Sequence, residues 1–110
     1  MRGVLSISVA AVVLTSAAMA QNTDVGRRPG NPAYGRMIAE TWCSACHLVA
    51  PAEDRAVLAD VPTFTLIARR LPSDADVLAA FIANPHPPMP DLGLSRQDIR
   101  DVLAYIATLK

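Results

Sequence analysis

Five consecutive residues, Cys43-Ser44-Ala45-Cys46-His47, constrain this 110-residue chain more than any other stretch. The pattern C-x-x-C-H is the attachment signature of c-type haem. Two thiols add across the two vinyl groups of one haem, and the next residue offers an imidazole to the iron. The spacing suits that chemistry. Residues three apart on a helical turn share a face, so both sulfurs can reach one edge of a porphyrin. The adjacent His then meets the metal from the proximal side.

Three other chemistries use paired cysteines. A thioredoxin-like dithiol needs a βαβ neighbourhood, and the sequence shows none. A zinc knuckle needs four N or S ligands. Cys43, Cys46, His47 and His86 make up the full supply, and the distance from His47 to His86 is unlike the short second pair of a zinc finger. A plain disulfide between Cys43 and Cys46 is compatible with an exported protein.

Export is what the N-terminus predicts. Arg2 gives a positive start, Val4 to Ala18 is an apolar run, and Ala18-Met19-Ala20 is a small-x-small cleavage site. The run is shorter than the ~20 apolar residues that span a bilayer, which favours a cleaved signal over an anchor. Residues 1–20 are therefore expected to be removed, with Gln21 as the new first residue in the periplasm. The remaining 90 residues suffice for one small domain. Such a chain buries a limited core and often needs a staple. With one Trp, two Tyr and two Phe, it has few large side chains to fill a centre, and a covalently held haem would supply one.

Charge narrows the partners. The export segment holds Arg2 and no acid, so the remainder carries 9 basic against 10 acidic residues, a net −1. This argues against nucleic acid. It also argues against a strongly basic docking face, since Lys110 is the sole lysine.

Residues 21–30 are polar, with Gly26, Pro29 and Gly30, and read as a flexible lead-in to a domain spanning 31–110. Asn31-Pro32 opens a helix, Asn as cap and Pro in the first turn. It runs from Ala33 to about Thr41 and sets Ile38 and Trp42 on one face. Val49 to Val61 lacks periodicity and reads as a loop. Thr63 to Arg70 is a short helical candidate. Ser73-Asp74-Ala75-Asp76 looks like a capping box, opening a helix with Val77, Leu78, Phe81 and Ile82 that stops at Asn84 before Pro85. Pro85-His86-Pro87-Pro88-Met89-Pro90 excludes helix and interior strand, leaving a stiff extended loop. Ser95-Arg96-Gln97-Asp98 caps a last helix to about Leu109, with Ile99, Val102, Leu103, Ile106 and Leu109 as its apolar stripe. The domain reads as all-α.

His47 fills one axial position of an iron, and the other needs a second ligand or stays open. Met37 lies about two turns before Cys43 on the same helix, which suits core filling better than ligation. Met89 sits in the proline-rich loop, where four prolines restrict the unfolded chain and lower the entropy cost of ordering. His/Met ligation is a recognised electron-transfer arrangement. His86, three residues away, competes as a stronger ligand or serves as an edge contact.

These residues resemble a class I monohaem bacterial cytochrome c along nearly the whole exported chain. Gly35 precedes Cys43 by the family's spacing, and Val61-Pro62-Thr63-Phe64 is similar to the segment whose Pro carbonyl accepts a hydrogen bond from the proximal His. By that match Pro62 would orient His47, with Pro51 as a second candidate acceptor. Residues 85–90 are similar to the Met-ligand loop, and Tyr105-Ile106 to the aromatic position where the last helix crosses the first near Gly35. The family often has an aromatic in the first helix there. Ala39 takes that place, and Tyr34 and Trp42 are the aromatics that could compensate.

The resemblance implies a small cytochrome c fold, three to five helices around one covalent haem. The implied function is electron transfer rather than enzymatic catalysis, with Cys43 and Cys46 as attachment points and His47 and Met89 as axial ligands. Partners would be redox proteins (a dehydrogenase, an oxidase or a membrane cytochrome complex) docking near Cys43 and Cys46, with no stable membrane insertion after signal cleavage. Two alternatives remain open: a haem c subunit of a periplasmic dehydrogenase, and a ligand-binding or peroxidase-like haem protein with an open sixth site.

Overall fold

Two small polar side chains set where the first and last described helices begin. In the computed structural model, which describes residues 28–55 and 58–110, the Asn31 carboxamide accepts from the N–H groups of Ala33 and Tyr34 at 3.0 and 3.2 Å. This caps helix α1 (Pro32–Ile38) as a sequence Asn-Pro should. At the other end, Ser95 and Asp98 form a full capping box on α4 (Arg96–Ala107). Between them lie α2 (Phe64–Ala68), capped by the Thr63 hydroxyl at 3.1 Å from Leu66 N, and α3 (Ala75–Ala83). The described residues form four α-helices and no strand. The expected signal, residues 1–20, and the lead-in up to residue 27 lie outside them.

Helices α1 and α4 cross where side chains vanish. A Cβ on Gly35 would overlap the backbone carbonyl of Asp101, so only glycine permits this approach. Gly30 repeats the device at the neighbouring peptide of α4, where a Cβ would overlap the Arg100 carbonyl. Asp101 itself is 3% exposed. Its carboxylate accepts from Asn31 N at 2.7 Å and from Gln97 Nε2 at 2.8 Å. The residue that caps α1 thus also docks it on α4. The core gathers on this crossing: Ile38 and Ala39 from the first helix, Val102, Tyr105 and Ile106 from α4, with Phe64, Ala68 and Val49 packed beneath.

The first helix departs from its predicted course. After Ile38 it widens into a π-helical segment, Ala39–Cys43, closed by Ser44 N to Ala39 O at 3.0 Å. Hydroxyls compete for the carbonyls here: Thr41 Oγ1 donates to Met37 O and Ser44 Oγ to Glu40 O, both at 2.7 Å. The extra residue per turn changes the face. Trp42, expected under Ile38, is 58% exposed, and Cys43 packs against the core instead. Met37, expected as core filler, is 57% exposed because it lies one position off the buried Ile38–Ala39 side.

Two further expectations change. Asp74 caps α3 without a side-chain hydrogen bond, because the Ser73 hydroxyl donates to Arg70 O at 2.8 Å in the preceding turn. The capping box read at Ser73–Asp76 therefore does not form. The Pro85–Pro90 loop is not simply extended: Met89 N donates to His86 O at 2.7 Å, closing a turn that the intervening prolines stiffen. The loop between Val49 and Val61 stays irregular over its described residues.

The Gly35 contact yields a direct test. Gly35→Ala forces backbone apart at the crossing and is expected to cost about 1–3 kcal/mol or more, read as a fall in the denaturant midpoint of the protein. An unchanged midpoint would mean that the helices can separate without loss.

Candidate haem site

The turn after the π-helical segment carries the C-x-x-C-H motif. Cys46 N and His47 N both donate to Cys43 O, at 3.2 and 2.9 Å. This helical turn holds the two cysteines and the histidine together at one wall of a cavity of about 420 Å³. Met89, His86 and Pro62 lie on the same cavity. The structure thus brings Cys43, Cys46, His47, Met89 and Pro62 together, while Met37 is not among the lining residues. Cys43 and Cys46 are not joined in a disulfide. Burial pushes the Cys43 thiol up to about 11, so it remains the neutral S–H at ordinary pH.

The His47 ring is oriented by the peptide of Pro62. Its Nδ1 lies 2.7 Å from the Pro62 carbonyl. A carbonyl only accepts, so Nδ1 carries the proton and the Nε2 lone pair is left for a metal. Pro51, the other candidate acceptor, is exposed and makes no such contact with His47. Phe64 stands beside the ring at a centroid distance of 5.5 Å, and Tyr105 stands 6.4 Å beyond Phe64. The aromatic partner of Tyr105 therefore comes from α2, not from the first helix. Tyr34 and Trp42 are exposed and do not compensate. The Tyr105 hydroxyl donates to the Val49 carbonyl at 2.7 Å, and burial raises its pKa.

Sequence reasoning missed the clamp behind His47. Glu53 Oε2 accepts from Val49 N at 2.6 Å and Ala50 N at 2.9 Å, and Arg55 donates to the His47 carbonyl. Arg55 Nε also lies 3.3 Å from Glu53 Oε1. An acid and a base two residues apart in an aperiodic loop carry no recognisable motif. Sequence reasoning also passed over Arg70, which lines the cavity together with Asp60. His86 lies edge-on to Phe81, with centroids 4.9 Å apart and planes at 87°.

The lining is otherwise apolar, with Ile67, Leu78, Ile82, Leu94, Leu103 and Ile106 contributing. Two thiols on one turn, an imidazole with Nε2 free, a thioether and an apolar enclosure form a donor set that fits a covalently attached haem. Among the described residues no group of three or more His, Cys, Asp or Glu could hold a bare metal ion. No described helix is long and apolar enough to cross a membrane.

Glu53 makes the clamp sensitive to acid. The Ala50 N–H lowers its pKa most, with Val49 N–H and Arg55 adding and partial burial opposing. A carboxylate with a lowered folded pKa stabilises the fold above its unfolded value, and that contribution is lost as pH falls through the folded value. The haem environment is therefore expected to hold through the usual carboxylate range near ~4.3 and to change below it. Visible absorbance followed during acid titration checks this, and Glu53→Gln should remove that acid step. An identical acid limb in the variant would assign the step to another group.

Comparison with known proteins agrees with the site. The family model for cytochrome c matches residues 32–110. Cytochrome c-552 of Bradyrhizobium diazoefficiens is 38% identical over 104 residues, covering 94% of this chain and 92% of the relative. No solved structure matches the chain. The chain belongs to the cytochrome c family, and with it to the electron-transport proteins that carry covalent haem c.

Proposed function

We propose that this cytochrome c is a periplasmic single-electron carrier with His47 and Met89 as axial ligands. The observation that carries the reading is the convergence of Cys43, Cys46, His47 and Met89 on one apolar cavity. Haem c supplies an iron that cycles between ferric and ferrous states. Cys43 and Cys46 would hold the haem covalently, each through one thioether, from the same helical turn. His47 presents Nε2, held in place through Nδ1 by Pro62. Met89 presents a thioether from a turn closed by its own N–H, which limits reorganisation when the charge changes. Arg70, which lines the cavity, would offer a guanidinium to the carboxylates of the bound haem. The apolar walls exclude water, which lowers the reorganisation cost further.

The partner surface is also a reading of this site. Trp42, Leu58, Leu66 and Phe81 line the cavity and are exposed. An apolar rim of this kind suits the small transient encounters of redox proteins. Without a lysine ring, docking relies on this apolar patch with scattered Arg, and the rate of electron exchange with its partner should fall only weakly with rising salt. A steep fall would point to a charged interface. Export is supported by the N-terminal pattern of residues 1–20 and by the compartment in which c-type haem is attached.

Met89→Ala tests the ligand set and separates a carrier from a protein with an open sixth site. Loss of the thioether is expected to change the visible spectrum and lower the midpoint potential on the order of 0.1 V, within the ~0.8 V that axial ligands span. Adding His86→Ala shows whether His86 takes the vacated place. A spectrum and potential unmoved by Met89→Ala would remove Met89 from the ligand set.

A further inference from the structure

The four residues from His47 to Ala50 have their backbone polar groups engaged from several directions. His47 N donates to Cys43 O, Phe64 N donates to Leu48 O at 2.9 Å, and the Tyr105 hydroxyl donates to Val49 O. The N–H groups of Val49 and Ala50 go to Glu53. The His47 carbonyl receives its hydrogen bond from Arg55, whose guanidinium also pairs with Glu53. One acid–base pair therefore rests on the main chain of the haem-motif histidine and the peptides that follow it, while Pro62 holds its ring.

Resting on the reading of His47 as an iron ligand, we propose that Arg55 is a positioning residue for electron transfer. Its guanidinium anchors the His47 main chain and holds the midpoint potential up, with Glu53 as its counter-charge. The physical reason is charge. Oxidation adds one positive charge at the iron, and a cation hydrogen-bonded to the ligand residue's own carbonyl disfavours that state. The guanidinium supplies this bias as a planar, hydrogen-bonding cation rather than as a distant charge. Glu53 opposes it electrostatically while keeping the guanidinium aimed at the carbonyl. The Arg55 side chain is 37% exposed, so solvent screens the effect to a moderate size.

The test compares Arg55→Gln, Glu53→Gln and Arg55→Lys in the haem-loaded protein by redox titration. Arg55→Gln is expected to shift the ferric/ferrous equilibrium toward ferric by about threefold to tenfold. Glu53→Gln keeps an oxygen for the Val49 and Ala50 N–H groups and should shift it the opposite way. Arg55→Lys keeps the charge and should restore most of the parent potential. A merely structural clamp would move both Gln variants in one direction, and that result, or no shift in either, overturns the proposal. Failure of the underlying reading is seen separately: if His47 is not a ligand, His47→Ala leaves the visible spectrum unchanged before any Arg55 variant is read.

Discussion

The crossing of α1 and α4 at Gly35 is the constraint on which the rest of the molecule depends. Backbone meets backbone there, with the Asp101 carbonyl in the space a side chain would need. This closeness sets the direction in which the first helix leaves the core, and so where Cys43 arrives. It also places Tyr105 under the chain that follows the C-x-x-C-H turn, where its hydroxyl holds the Val49 carbonyl. Asp101 makes the joint polar as well as steric by taking the N–H of Asn31, the cap of the opposing helix. Burying that carboxylate is tolerable because both of its donors are fixed by the same helices.

Local rules are broken near the haem cavity. The widened turn at Ala39–Cys43 gives up regular α-helical bonding, and Thr41 and Ser44 occupy carbonyls with their hydroxyls. In return Cys43 is turned inward and Trp42 outward. π-type turns occur often at functional sites because they re-aim a side chain without ending a helix. Beyond this turn the described chain has little regular structure until α2, and its order comes from side chains: Glu53 and Arg55 hold peptide groups within the loop, Tyr105 holds one from α4, and the His47 ring holds the Pro62 carbonyl.

Much of this was legible in the sequence where chemistry is local. The caps at Asn31 and Ser95 depend on residues within three positions, and both form as read. The stripe on α4 is buried because a period of 3.6 leaves it one face to turn inward. The capping box at Ser73 was misread because the turn before it claimed the hydroxyl, a competition that spacing alone does not reveal. Trp42 was misplaced because an ideal helical register was carried through the widened turn, and Met37 because it lies one position off the buried Ile38–Ala39 side. Asp101 was invisible as a buried group, since an acid beside an apolar stripe looks like solvent-facing surface until its donors are known.

The sequence by itself determined the haem motif, the helical class, the helix starts and the presence of a stiff Met-bearing loop. Each of these follows from residue types a few positions apart, whose reach is set by bond geometry. Only the tertiary structure decided which proline receives the His47 ring, which aromatic packs on Tyr105, and which charges lie behind the histidine. Those choices join residues 15, 41 and 8 positions apart. Such pairings depend on how close two helices can approach, and at Gly35 that distance is set by the absence of a side chain.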